Sequence, residues 1–214
     1  IEDVKDSYRI FKEYNALMFF IAIIIGVQFF FSIDCFINLW YNNQVKTSIG
    51  ISILFSMLLI YNILRMSLVT FTEAAGLFKE TKICPIIEAI VNLILSLILV
   101  KALGIEGLLI GTFLALFISE FLIKPHIIFR KIFNKSGFEY YKISYKFIII
   151  LIIEMIIVYV MKINIIHFER ITSWFLYSAI FGLINICITM LIYIFMKQTF
   201  LIDRIKQIFI KKET

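Results

Sequence analysis

The 214-residue chain is 62% hydrophobic and only 17% charged, with 23 Phe and a formal net charge of +6. Such a composition belongs to the membrane class and leaves no room for a soluble domain. Three scattered cysteines, Cys35, Cys84 and Cys187, are odd in number and lack C-x-x-C spacing, so neither a disulfide framework nor a zinc site is suggested.

In chain order, residues 1–15 are charged but carry Val4, Tyr8 and Phe11 along one side of a helix, as in a connecting segment lying on a membrane surface. Residues 16–196 then supply six apolar spans. The first covers 16–39 and ends in Trp40 and Tyr41, which suit the headgroup belt. The second covers 48–72. The third opens at Pro85, whose missing N–H and preset φ fit a first helical turn. It reaches Ala102, close to the roughly 20 residues that a bilayer crossing needs. Cys84, beside Pro85, reads either as a reactive thiol or as a small residue at the membrane edge. Gly104 stops the third span as a C-terminal glycine can. A glycine-led fourth span follows and ends near Ile123, before Lys124 and Pro125. Its Gly107, Gly111, Ala115 and Ser119 form a row of small residues that lets another helix approach closely. The fifth and sixth spans cover 145–161 and 174–196, and a basic amphipathic tail occupies 197–214.

Counting Lys and Arg in the connections places sixteen on the side of the N-terminal segment and four on the other, with Arg65 alone inside a span. That asymmetry predicts that both ends of the chain are cytoplasmic. The positive charge is thus read as topology and attraction to membrane lipids, and nucleic acid is not an expected partner.

Ionisable groups at membrane depth are costly and mark sites. Arg65 lies eight residues before Glu73, about 12 Å in; Asn92 lies about 10 Å and Glu88 about 5 Å beyond the same surface. With Asn62 one turn from Arg65, the spacing predicts a polar cluster of Asn62, Arg65, Glu88 and Asn92 between the second and third spans. Two readings stand: an Arg65–Glu88 ion pair that locks two helices, or an Arg65 that faces a water-filled cavity. Glu120 and Lys124 form an i, i+4 pair with a structural reading. Glu154, about 13 Å into the fifth span, and Asn185, about 18 Å into the sixth, are placed to hydrogen-bond each other. Glu154 and Glu88 are the ion-coupling candidates. His126 and His167 lack ligand-spaced partners, so neither a metal nor a cofactor is expected.

The stretches AAGLFKET at 74–81, PIIEAIVNLILS at 85–96 and GIEGLLIGT at 104–112 carry a resemblance, extended more loosely by FINLW at 36–40 and by Lys124 and Pro125. They resemble the C-terminal half of Wzx-like polysaccharide flippases, in the multidrug/oligosaccharidyl-lipid/polysaccharide exporter superfamily. The resemblance implies an all-α integral membrane fold, with six transmembrane helices forming one lobe of a MATE-like two-lobe transporter. Family members are about twice this long, so the chain is expected to be a C-terminal portion whose partner is the N-terminal half of the same polypeptide.

The implied function is translocation of an undecaprenyl-diphosphate-linked oligosaccharide across a bacterial cytoplasmic membrane by alternating access, for O-antigen, capsule or exopolysaccharide assembly. Sugar and diphosphate would occupy a central cavity and the polyprenyl tail would stay in lipid. Arg65, Asn62, Asn92 and Glu88 would contact this substrate, and polysaccharide polymerase machinery is a further partner. A MATE-like multidrug/cation antiporter half is the runner-up. An intramembrane enzyme is disfavoured, because no G-x-S-x-G elbow, H-E-x-x-H or paired Asp motif is present and neither His lies well within a span.

Overall fold

A computed structural model describes residues 4–42, 48–164 and 170–196, all in helices or short connections. The expected tail at 197–214, His167, Lys46 and residues 1–3 lie outside the described residues. The elements are α1 (Val4–Trp40), α2 (Ile49–Leu64), α3 (Met66–Ala74), α4 (Phe78–Thr81), α5 (Ile83–Leu103), α6 (Ile105–Leu116), a π-helical stretch (Phe117–Ile123), α7 (Lys124–Ile132), α8 (Phe138–Asn164) and α9 (Ile171–Phe195). The chain is an all-α membrane protein.

Among the described residues, five helical segments are long and apolar enough to cross a bilayer: α1, α2 with α3, α4 with α5, α6 through α7, and α9. The 27-residue α8 adds a sixth long helix, whose stretch 147–161 is interrupted only by Glu154. Large side chains such as Leu93, Leu97, Phe175 and Leu183 are more than half exposed on the outside. In water such a surface would aggregate; against hydrocarbon it carries no penalty.

Local signals set the helix ends. Ser48 caps α2 by accepting from the Ile51 N–H at 3.1 Å. The helical backbone persists through Arg65 (φ −62°, ψ −20°), so α2 and α3 make one rod. Gly104 closes α5 at φ +59°, ψ −133°, a conformation open to glycine but hardly to other residues.

Two expectations are corrected. Residues 4–15 are not a helix separate from the first span; they are the first turns of α1, and Phe11 and Asn15 are buried. The fourth span does not stop near Ile123 but runs through Pro125 to Ile132, by way of the π-helical stretch. Pro125 has no N–H and its ring crowds the carbonyl four residues back. That carbonyl, of Phe121, accepts a hydrogen bond from the Tyr141 hydroxyl at 2.7 Å, and at the other end of the π stretch the Leu116 carbonyl accepts one from the Tyr61 hydroxyl at 3.1 Å. Hydroxyls from two neighbouring helices thus supply partners that the local backbone lacks.

Helix α1 is the hub, packing on α2, α3, α8 and α9. At the basic end, Phe11, Leu68, Ile128, Phe129, Phe133 and Tyr140 form one core. Farther along α1, Phe19, Ile23, Val27 and Phe30 form a second with Phe147, Val158 and Tyr193. Antiparallel α9 is pinned to α1 by three hydrogen bonds: Tyr193 hydroxyl to Ala16 carbonyl (3.0 Å), Gln28 amide to Ser178 carbonyl (2.9 Å) and Trp174 indole to Ser32 carbonyl (3.0 Å).

Candidate functional site

The polar face of α5 does not meet α2. Asn92 Oδ1 accepts from Ser96 (2.8 Å) and from Thr112 on α6 (3.2 Å), and Glu88 Oε2 accepts from Ser119 of the π stretch (3.4 Å). The small-residue row is what brings them there. A Cβ on Gly107 would fall 2.2 Å from the Leu99 carbonyl oxygen, and one on Gly111 would fall 2.8 Å from the Ser96 nitrogen, while Ala115 and Ser119 are fully buried. Backbone therefore touches backbone at the α5–α6 hairpin, as helix association in lipid favours.

The expected quartet accordingly splits. Asn62 is exposed and donates to the Leu58 carbonyl of its own helix at 2.8 Å. Arg65 forms no ion pair with Glu88 or with any other described residue, and its Nε is buried without a hydrogen-bond partner. It lines a cavity of about 420 Å³ walled by α1, α2, the fourth span and α8. Phe19, Met57, Ile60, Phe117, Leu151 and Ile152 are among its apolar lining residues. Glu120 also lines it, but Lys124 Nζ sits 2.7 and 3.0 Å from the two Glu120 oxygens, so that carboxylate is matched within its own helix. Both members of this expected pair are buried. Among the described residues Arg65 is thus the charge of this largely apolar wall that has no ion-pair partner.

Glu154 and Asn185 do not hydrogen-bond each other. Thr189 donates to Asn185 Oδ1 at 3.1 Å, while Glu154 Oε1 and Asn185 Nδ2 are buried without partners. Among the described residues Glu154 has no basic group at ion-pair distance. His126 Nδ1 lies 2.8 Å from the Leu122 carbonyl, and among the described residues no three His, Cys, Asp or Glu side chains could hold a metal ion together.

No protein-family model, curated protein or solved structure matches the chain. Its site is therefore argued from its own residues.

Two polar clusters escaped the sequence reading. At the end opposite the basic one, Asp34 of α1 pairs with Lys162 of α8 and accepts a hydrogen bond from Ser52 of α2. Lys162 also donates to the Phe30 carbonyl at 2.7 Å. An aspartate inside the first apolar span was the available signal; Lys162 was masked by its position at the edge of the fifth. Near the basic end, Asn15 bridges Ser144 (3.1 Å) and Ser67 (3.0 Å), joining α1, α8 and α3 below the cavity. Farther out, before the apolar stretch of α8 begins, the hydrogen bond from Lys142 (2.8 Å) holds the Glu139 carboxyl below its usual range, with the Tyr8 hydroxyl adding to it.

Proposed function

We propose that the chain is the C-terminal lobe of a flippase that moves a lipid-diphosphate-linked oligosaccharide across the bacterial cytoplasmic membrane, with both of its ends on the cytoplasmic side. The resemblance supplies the substrate class. The observation that carries the reading is Arg65: a guanidinium at membrane depth, without a carboxylate partner among the described residues, on the wall of a largely apolar cavity. Such a group is costly unless an anion comes to it. A planar fork of N–H donors matches diphosphate oxygens by paired hydrogen bonds, which a lysine cannot reproduce.

Asn62, Glu88 and Asn92 are weaker substrate contacts in this reading, since each already has a partner within the helices. Glu154 is the better of the two ion-coupling candidates, because one of its oxygens is buried and free of partners. A multidrug/cation antiporter half would make the same use of Glu154 but gives Arg65 no anion to bind.

The test is transport. In the full-length protein, at matched membrane abundance, Arg65→Met should abolish flipping of the lipid-linked glycan or complementation of surface polysaccharide, and Arg65→Lys should recover it only in part. Normal transport by Arg65→Met would remove Arg65 as a substrate ligand.

A further inference from the structure

The cavity beside Arg65 is a slot. Ile53 and Leu68 both line it and lie fifteen residues apart on the α2–α3 rod, about 22 Å at 1.5 Å per residue. Across from them Ile148, Leu151, Met155 and Tyr159 present one stripe of α8 along its length. Arg65 is off centre: roughly 18 Å of slot runs from it toward Ile53, and roughly 4 Å toward Leu68. With Glu120 matched by Lys124, Arg65 is the one charge in the wall without an ion-pair partner among the described residues, and it stands near one end; apart from Glu120 the other lining residues are aliphatic or aromatic, Tyr61, Tyr140 and Tyr159 among them. That is the polarity of an amphiphile with an anionic head.

We propose that this slot holds the hydrocarbon chain of a single-chain lipid diphosphate, with the diphosphate on Arg65 and the chain lying between α2 and α8 toward Ile53. The inference rests on the Arg65 reading above and departs from the resemblance in one respect: the chain lies inside the helix bundle rather than in bulk lipid. A bilayer phospholipid matches less well. It has two chains for one slot, and its phosphate stands at the membrane surface, whereas Arg65 lies nine residues, about 13 Å, from the Ala74 end of its rod. Walls of the kind seen here bind apolar ligand surface, and a few polar groups fix its orientation.

The experiment uses the whole chain in lipid nanodiscs, with farnesyl diphosphate and inorganic diphosphate as probes. Farnesyl diphosphate should bind at least tenfold more tightly than inorganic diphosphate. Ile152→Trp, which fills the slot from α8, should weaken farnesyl diphosphate at least tenfold and leave inorganic diphosphate unchanged; Arg65→Gln should weaken both. A farnesyl diphosphate analogue with a photoreactive chain end should label Met57, Met155 or their neighbours rather than the outward α5 residues Leu93 and Leu97, and this decides the matter if Ile152→Trp fails to fold. Undiminished farnesyl diphosphate binding by a folded Ile152→Trp, or labelling confined to α5, overturns the chain placement and spares the Arg65 site. Unchanged binding of both probes by Arg65→Gln overturns the Arg65 site itself. Displacement of farnesyl diphosphate by phosphatidylglycerol at equal concentration would make the occupant an ordinary bilayer lipid and overturn the proposal.

Discussion

The fourth span shows two opposite faces of one helix behaving in opposite ways. Gly107, Gly111, Ala115 and Ser119 recur every four residues, and so do Phe113, Phe117 and Phe121, two positions on and therefore about 200° around the axis. The small row lets α5 approach until backbones touch. The aromatic row, with Phe117 and Phe121 stacked at 4.9 Å, holds α8 off and leaves the slot. Hydrophobicity does not distinguish the two faces. In a bilayer, where apolar association gains little from excluding water, side-chain size decides which contacts close and which stay open.

The tight face is the easier one to break. Gly107→Ala places a methyl against the Leu99 carbonyl, a neighbour that cannot rotate away, so it should destabilise the fold by about 3 kcal/mol or more. Gly111→Leu should be at least as damaging. Wild-type thermal stability of either variant in detergent would contradict the close approach. A middle-sized effect is expected at the π stretch that separates the faces. Tyr141→Phe leaves the half-buried Phe121 carbonyl without this donor and should cost about 1 to 3 kcal/mol. Tyr61→Phe should cost less, because the Ser119 hydroxyl, 3.4 Å from both Glu88 Oε2 and the Leu116 carbonyl, can turn its one proton to the carbonyl. Equal stability losses in the two variants would show that the two carbonyls are not served as described.

On the open face the smallest change in stability is expected. Arg65 has no carboxylate to abandon, so Arg65→Met should leave thermal stability within about 1 kcal/mol of wild type or raise it. A loss of roughly 3 to 5 kcal/mol, as for breaking a buried ion pair, would mean that Arg65 has a protein partner after all. The contrast between a stable Arg65→Met and a crippled Gly107→Ala is the sharpest form of the comparison.

What could be read from sequence divides along the same line. Pro85, Gly104 and the Gly107–Gly111–Ala115 row act through local backbone chemistry: Gly104 ends α5, Pro85 lies in its first turn two residues after its start at Ile83, and Gly107 and Gly111 lie against the α5 backbone. Which helix a polar residue meets is a different matter. Periodicity places Glu88 and Asn92 on one face of α5 but does not name the neighbour, and the Gly104 turn folds α6 onto that face before α2 can reach it. The continuation through Pro125 was equally hidden, since the hydroxyls that permit it come from Tyr61, 64 residues earlier, and from Tyr141. Asp34 stands inside the first apolar span, but Lys162 lies 128 residues away at the edge of the fifth, so nothing local names the partner.

The length of α1 has a mechanical meaning. At 37 residues it is a rod of about 55 Å, well beyond the roughly 30 Å of a bilayer's hydrocarbon. It lies close against α2 at Gly26, where an added Cβ would fall 2.1 Å from the Ile60 side chain. About 33 Å of rod lies on the Val4 side of that point and about 21 Å on the Trp40 side. The aromatic core around Phe11 and the Asp34–Lys162 clasp are therefore built on one uninterrupted rod, on opposite sides of its contact with α2.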